Sequence, residues 1–209
     1  MRSAALFAIL GLFVGSPAGY LIGTRHVPTV ESPALVATED VPDVESPTIA
    51  PPTSNRSTAP ISCYFSPSGG CTSAIIAELN AAKKSIDAQA YSFTSAPIAK
   101  AIADAYKRGV RVRVILDKGQ QTAKYSSATF LRNASVPTWI DSKHAIAHNK
   151  IMMIDGQVLI TGSFNFTAAA EKSNAENLLI IRDNDVLNAA YQENFSAHLA
   201  HSTVYTGPG

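Results

Sequence analysis

The chain has 209 residues, 46% of them hydrophobic, 16% charged and 8% aromatic, enough for one ordinary domain and too few for two large ones. Seventeen Lys and Arg against 16 Asp and Glu leave a formal charge of +1, which excludes the global polyanion-binding signature of a strongly basic protein. Seven of the 12 prolines fall within residues 28–60, so the chain consists of two unlike pieces.

Residues 1–25 open with Arg2 and then carry no charge from Ser3 to Thr24, with a continuous apolar run from Ala4 to Val14. This pattern predicts export to the periplasm or beyond. It fits a cleaved signal peptide with a small-residue site around Ser16-Pro17-Ala18. It also fits an uncleaved inner-membrane anchor, because the roughly 20 uncharged residues match a bilayer span, and this length favours the anchor. Gly11, Gly15, Gly19 and Gly23 would form one small-residue stripe on a helix, which in a membrane allows close pairing; glycine is also simply common in such segments. Residues 26–60 are rich in Pro, Ser and Thr and carry scattered acids, a composition that cannot bury enough apolar surface to offset ordering entropy. They read as a disordered linker. In polyproline-like form it would reach roughly 100 Å from a membrane.

Residues 61–209 read as one globular domain with 14 basic and 11 acidic residues, a charge of +3. Cys63 and Cys71 are the only cysteines, and Pro67 and Gly69-Gly70 favour a turn between them. In an exported protein this spacing predicts a local disulfide. No cysteine or histidine set lies at zinc-finger spacing. Strands are predicted over 61–65, 85–92, 110–116, 150–154, 158–162 and 178–182, and helices over 72–84, 98–107 and 186–201. Gly109 stands just past the second helix, where a left-handed residue ends it. Alternating strands and helices at the start of the domain make an α/β fold with parallel pairing there, and functional residues belong in the loops at strand ends. The basic run Lys107, Arg108, Arg111 and Arg113 reads as a solvated face rather than a nucleic-acid track.

His148 and Lys150 precede the apolar run Ile151–Ile154 and are followed by Asp155 and, after six intervening residues, by Gly162-Ser163-Phe164-Asn165. With period 2, His148 and Lys150 project to one side. An imidazole beside an ammonium suits a phosphate: the ring nitrogen attacks while the cation and an amide donor from Asn165 stabilise charge on the oxygens. Phe164 and Phe166 flank Asn165 and read as core rather than base-stacking residues.

HNKIMMID and GSFN resemble the single-motif members of the phospholipase D superfamily, and YSFTSAPIAKA and KRGVRVRVILD are similar to its small bacterial endonuclease branch. The resemblance covers about residues 61–209 and implies a mixed, largely parallel central sheet flanked by helices. It implies that His148 is the nucleophile, that Lys150 and Asn165 hold phosphate oxygens, and that Glu176 fixes the histidine tautomer with support from Ser163. Asp155 enters the motif as a mainly structural or electrostatic member. No metal or other cofactor is implied. The scheme requires a second histidine as general acid and base. His144, His198 and His201 lack a matching Lys and Asp, so the resemblance implies a homodimer with the active site at the subunit interface. The expected substrate is nucleic acid, DNA with RNA as a further candidate. A phospholipid headgroup and non-catalytic, membrane-tethered binding of nucleic acid or lipid are the rivals.

Overall fold

The computed structural model describes residues 60–207, and the expectations for the export segment, the glycine stripe and most of the linker lie outside the described residues. The elements in chain order are β1 (Ile61–Ser66), α1 (Cys71–Ala81), β2 (Ser85–Ala90), α2 (Ala96–Lys107), β3 (Arg111–Asp117), a 3-10 turn (Lys118–Gln120), α3 (Ala128–Asn133), β4 (Thr138–Asp141), β5 (Lys150–Ile154), β6 (Val158–Gly162), α4 (Ala168–Lys172), β7 (Glu176–Arg182), α5 (Asp185–His201) and β8 (Thr203–Val204). All eight strands join one sheet in the order β1-β7-β6-β5-β2-β3-β4-β8.

The α/β sheet flanked by helices agrees with expectation, but parallel pairing is confined to β2 with β3 and β3 with β4; the other five pairings are antiparallel. The reason lies in the connections. A parallel return needs a crossover of a dozen or more residues, whereas only Asp155, Gly156 and Gln157 separate β5 from β6. Asp155 and Gly156 take φ of 57° and 71°, and the Gln157 N–H donates to the Ile154 carbonyl at 3.0 Å, closing a tight hairpin.

Alternation along the strands builds two cores. Ile86, Ala88, Val112, Val114, Met152 and Ile160 face α1 and α2, meeting Ile75, Leu79, Ile98 and Ile102, all fully buried. Ile115, Met153, Leu159 and Ile181 face the opposite way, against Phe195 of α5 and its partly buried Leu187, Tyr191 and Leu199. On this second face Asp87 is buried and takes both Arg111 and Arg113 in paired hydrogen bonds of 2.7–3.3 Å. Burial works to raise the Asp87 carboxyl pKa, but the two guanidiniums more than offset it and hold it below the usual carboxylate value. Arg108 meanwhile donates to the Leu79 carbonyl at 2.9 Å. Three members of the basic run are therefore engaged within the domain.

The expected disulfide is not formed: Cys63 and Cys71 are both free thiols. Cys63 lies in β1 on the outward side shared with exposed Ile61 and Phe65, whereas Cys71 opens α1 and is buried in the first core, so the two face opposite sides of the sheet. A disulfide needs its Cβ atoms about 4 Å apart and facing each other.

Asp155 fixes the foot of the sheet. Its carboxylate accepts N–H bonds from Lys83, Lys84 and Ser85 at 2.9, 2.7 and 2.8 Å, clamping the turn from α1 into β2 onto the β5–β6 hairpin. Partial burial opposes ionisation, but the three backbone donors and the Lys84 charge outweigh it and depress the carboxyl pKa. Asp155→Ala is expected to cost about 1–2 kcal/mol in urea unfolding at neutral pH. Because the folded pKa is the lower one, this contribution is present above the unfolded value of about 3.9 and is lost as pH falls through the folded value. The wild-type and variant stabilities should converge in that acid window.

Candidate active site

Loop 142–149 and the start of β5 carry His148 and Lys150 to one mouth of the sheet. Two anchors hold the loop: the Ala147 N–H donates to the buried Asp117 carboxylate at 2.8 Å, and the Lys118 ammonium donates to the His144 carbonyl at 3.1 Å. The Tyr91 N–H, just past β2, donates to the Asn149 carbonyl at 2.9 Å and extends the β2–β5 ladder to the mouth. His148 is exposed, and its ring packs on Tyr91 at a centroid distance of 4.5 Å. The Lys150 side chain passes the same ring, with Nζ 5.0 Å from the Tyr91 centroid, and donates to the His148 carbonyl at 2.7 Å. Lys150 is only 6% exposed. Burial pushes its ammonium pKa down, while the Glu176 carboxylate works to raise it, which places Glu176 within electrostatic reach.

The segment after β6 docks on the segment after β2. Thr94 and Ser95 N–H groups donate to the Phe166 carbonyl at 3.0 and 2.9 Å, and Phe166 packs edge-on against Phe93 at 5.7 Å. Phe164 and Phe166 are fully buried, so they are core as expected, and half-buried Asn165 between them is turned the other way. The Asn165 Oδ1 is buried without a partner, leaving its carboxamide uncommitted. Ser163 Oγ accepts the Asn177 N–H at 3.0 Å, tying β6 to β7.

The structure thus gathers His148, Lys150, Asn165, Ser163 and Glu176 at one end of the sheet and leaves Asp155 at the other, about 17 Å along β5 from Lys150 at the usual strand rise. Asp155 acts there as the clamp already described, away from the reacting groups. The expected bond between Glu176 and His148 is not formed within the chain: the Glu176 carboxylate accepts from Asn174 Nδ2 at 3.0 Å, and the histidine ring rests on Tyr91 instead. Sequence reasoning missed Tyr91 and Asp117, neither of which stands in the motif. It also set aside His144, His198 and His201, which meet around Asp141. The spacings Asp141-x-x-His144 and His198-x-x-His201 were the only available signal.

A histidine and a desolvated lysine at the mouth of a mixed sheet, beside a free carboxamide and a carboxylate, define a phosphodiester-processing enzyme of α/β class. The family model for the cardiolipin synthase, PLD-like domain matches residues 75–199, and the chain belongs to the phospholipase D superfamily of phosphodiesterases. A phospholipase D from Rickettsia conorii is 43% identical over 139 residues, 66% of this chain and 70% of that one. A mitochondrial cardiolipin hydrolase from Xenopus laevis is 36% identical over 134 residues, covering 64% and 63%. The crystal structure of the phospholipase D family member Nuc from Salmonella typhimurium superposes with a TM-score of 0.67 at 34% identity, covering 70% of this chain and 97% of Nuc.

Gly162 ends β6 opposite Leu178 of β7 with φ of 149°, and a Cβ there would lie 2.3 Å from the Asn177 carbonyl oxygen. Gly162→Ala must therefore push β6 and β7 apart where Ser163 and Asn165 begin. The expected result is a loss of about 1–3 kcal/mol in urea unfolding together with a fall in phosphodiesterase kcat.

Proposed function

We propose that this phosphodiesterase is an endonuclease acting on DNA, with RNA as a further substrate, through a covalent phosphohistidine on His148. The observation that carries the chemistry is the pairing of an exposed imidazole with the buried, partner-poor Lys150 ammonium beside the unpartnered Asn165 carboxamide. The His148 nitrogen lone pair attacks phosphorus, the P–O bond to the leaving nucleoside oxygen breaks, and that oxygen takes a proton from a second histidine. Water then attacks the phosphohistidine, giving up a proton to the same second histidine, and the P–N bond breaks to restore His148. Lys150 and Asn165 hold the nonbridging oxygens as charge builds on them. Glu176 orients the imidazole in the assembled site and Ser163 fixes the strand end that carries Asn165.

The second histidine is His148 of a second copy, so the active form is a homodimer with its cleft at the subunit interface. Ile146, 56% exposed two residues before His148, supports this reading as an apolar surface beside the mouth. Nucleic acid as substrate is supported by the charge of +3 after residue 60, by the exposed polar rim of Lys143, Ser163, Asn174 and Asn177, and by the likeness to Nuc. The identity with the Rickettsia phospholipase D favours a second reading, hydrolysis of a phospholipid headgroup. No helix among the described residues is long and apolar enough to cross a membrane. The uncharged apolar run within residues 4–23 supports export, with a cleaved signal peptide and an inner-membrane anchor as its two forms.

Incubation with supercoiled plasmid should give nicked circles that vanish with His148→Ala, while phosphatidylcholine or cardiolipin vesicles should release no headgroup or phosphatidic acid. Lipid turnover with intact plasmid would favour the second reading, and binding without either product would leave a non-catalytic protein. Random pairing of equal amounts of wild-type and His148→Ala chains should leave about a quarter of the wild-type activity if each dimer needs both histidines, against half for independent sites.

A further inference from the structure

Away from the proposed chemistry, four side chains converge where β4 ends. Asp141 is fully buried, and its Oδ2 lies 2.7 Å from His198 Nδ1, 3.1 Å from His144 Nδ1 and 3.3 Å from His201 Nε2. The three rings stand 4.7–5.3 Å apart by centroid. One donor atom from each of the four residues lies within 4.8 Å of every other.

Hydrogen bonding alone satisfies this arrangement poorly. Three ring nitrogens crowd one carboxylate oxygen that has two lone pairs. His201 Nε2 is buried and makes no hydrogen bond of acceptable geometry, although it points into the cluster. Protonating all three rings would place three positive charges against one negative charge. Three neutral imidazoles and one carboxylate are, in contrast, a common donor set for a tetrahedral divalent transition metal, whose bonds of about 2.0–2.2 Å put neighbouring donors roughly 3.4 Å apart. The existing separations are within a few tenths of an ångström to about 1.4 Å of that value. The Asp141 Oδ1 accepts the Lys143 N–H at 3.1 Å, which orients the carboxylate, and the 43% exposed side chain of His144 leaves a way in from solvent.

We propose that Asp141, His144, His198 and His201 form a structural zinc site. Its ligands come from the end of β4, from the loop that reaches His148 four residues later, and from the last turn of α5. The metal therefore staples the C-terminal helix to the loop that positions His148. It stands apart from the groups assigned to the phosphate, so its role is positional.

The full chain, stripped with a strong chelator and dialysed, should be titrated with zinc chloride by calorimetry, and with cobalt(II) to record its ligand-field spectrum. One zinc per chain, a tetrahedral cobalt spectrum and a raised Tm are expected. The paired substitution His198→Gln with His201→Gln should weaken zinc binding at least about 100-fold, with folding confirmed by circular dichroism. His148→Ala should bind as the wild type does. Failure of the wild type to take up one zinc would overturn the site, as would undiminished binding by the folded double variant or loss of binding in His148→Ala. Since these readouts do not involve substrate, they stand or fall separately from the endonuclease reading.

Discussion

Two carboxylates stand side by side at the ends of the parallel strands β3 and β4, Asp117 opposite Asp141 in register, and the loop bearing His148 hangs from both. Each is almost completely buried, and an ionised group so placed is tolerable only when its oxygens are filled. Asp117 meets that demand with the N–H groups of Gly119 and Ala147, both at 2.8 Å, and Asp141 with Lys143 and the imidazoles. The desolvation penalty thus becomes a positional constraint. Releasing the loop would leave two buried charges short of donors, so the segment before His148 is held although it has no secondary structure of its own.

The same logic divides the motif along β5. His148, Lys150 and Asp155 read as one string, but the strand between them is buried throughout and delivers its two ends to opposite ends of the sheet. At one end the ammonium is kept partly desolvated beside Tyr91, where its attraction for an arriving anion is least screened. At the other the Asp155 carboxylate gathers three backbone donors and sets where β2 begins against β5. A register slip of one residue would turn Lys150 to the α5 face, so the distant clamp and the lysine's orientation belong to one mechanical unit.

Much of this was legible from pattern. The bounds of β5 and β6 follow directly from their apolar runs, and α5 differs from its prediction by a single residue. Missing from the sequence reading were α3, β4, α4 and β8. Thr-Trp-Ile-Asp in β4 is too short to display alternation, and β8 has two residues and is held by pairing with β4. The expectation of a largely parallel sheet fails because the β–α–β alternation ends at β4, after which β5 and β6 follow without an intervening helix. The cysteine pair misled because sequence proximity says nothing about which face of β1 each thiol occupies. Of the residues named from the motif, His148, Lys150, Ser163, Asn165 and Glu176 lie at one end of the sheet and Asp155 at the other, where it binds backbone N–H groups. Tyr91, Asp117, His198 and His201 escaped because their long-range partners lie 30 to 60 residues away, and no local period records such contacts.

Tyr91 explains how the mouth stays ordered without a carboxylate on the histidine. Its ring faces both the imidazole of His148 and the ammonium of Lys150, at 4.5 and 5.0 Å, so one aromatic surface sets the separation between the proposed nucleophile and the proposed phosphate clamp. The Lys150 ammonium is further fixed by the carbonyl of His148 itself, so the backbone that bears the imidazole also locates the cation. Such a pair can receive a phosphate from the open side with little reorganisation, which is where preorganised charge lowers a barrier most. Among the described residues only one imidazole lies at this mouth, while the proposed hydrolysis through a covalent intermediate requires proton transfer at the leaving oxygen as well. The three remaining histidines near this end of the sheet are committed to Asp141. The proposed homodimer answers that demand, because an identical mouth on a second copy would bring a second imidazole to the leaving oxygen.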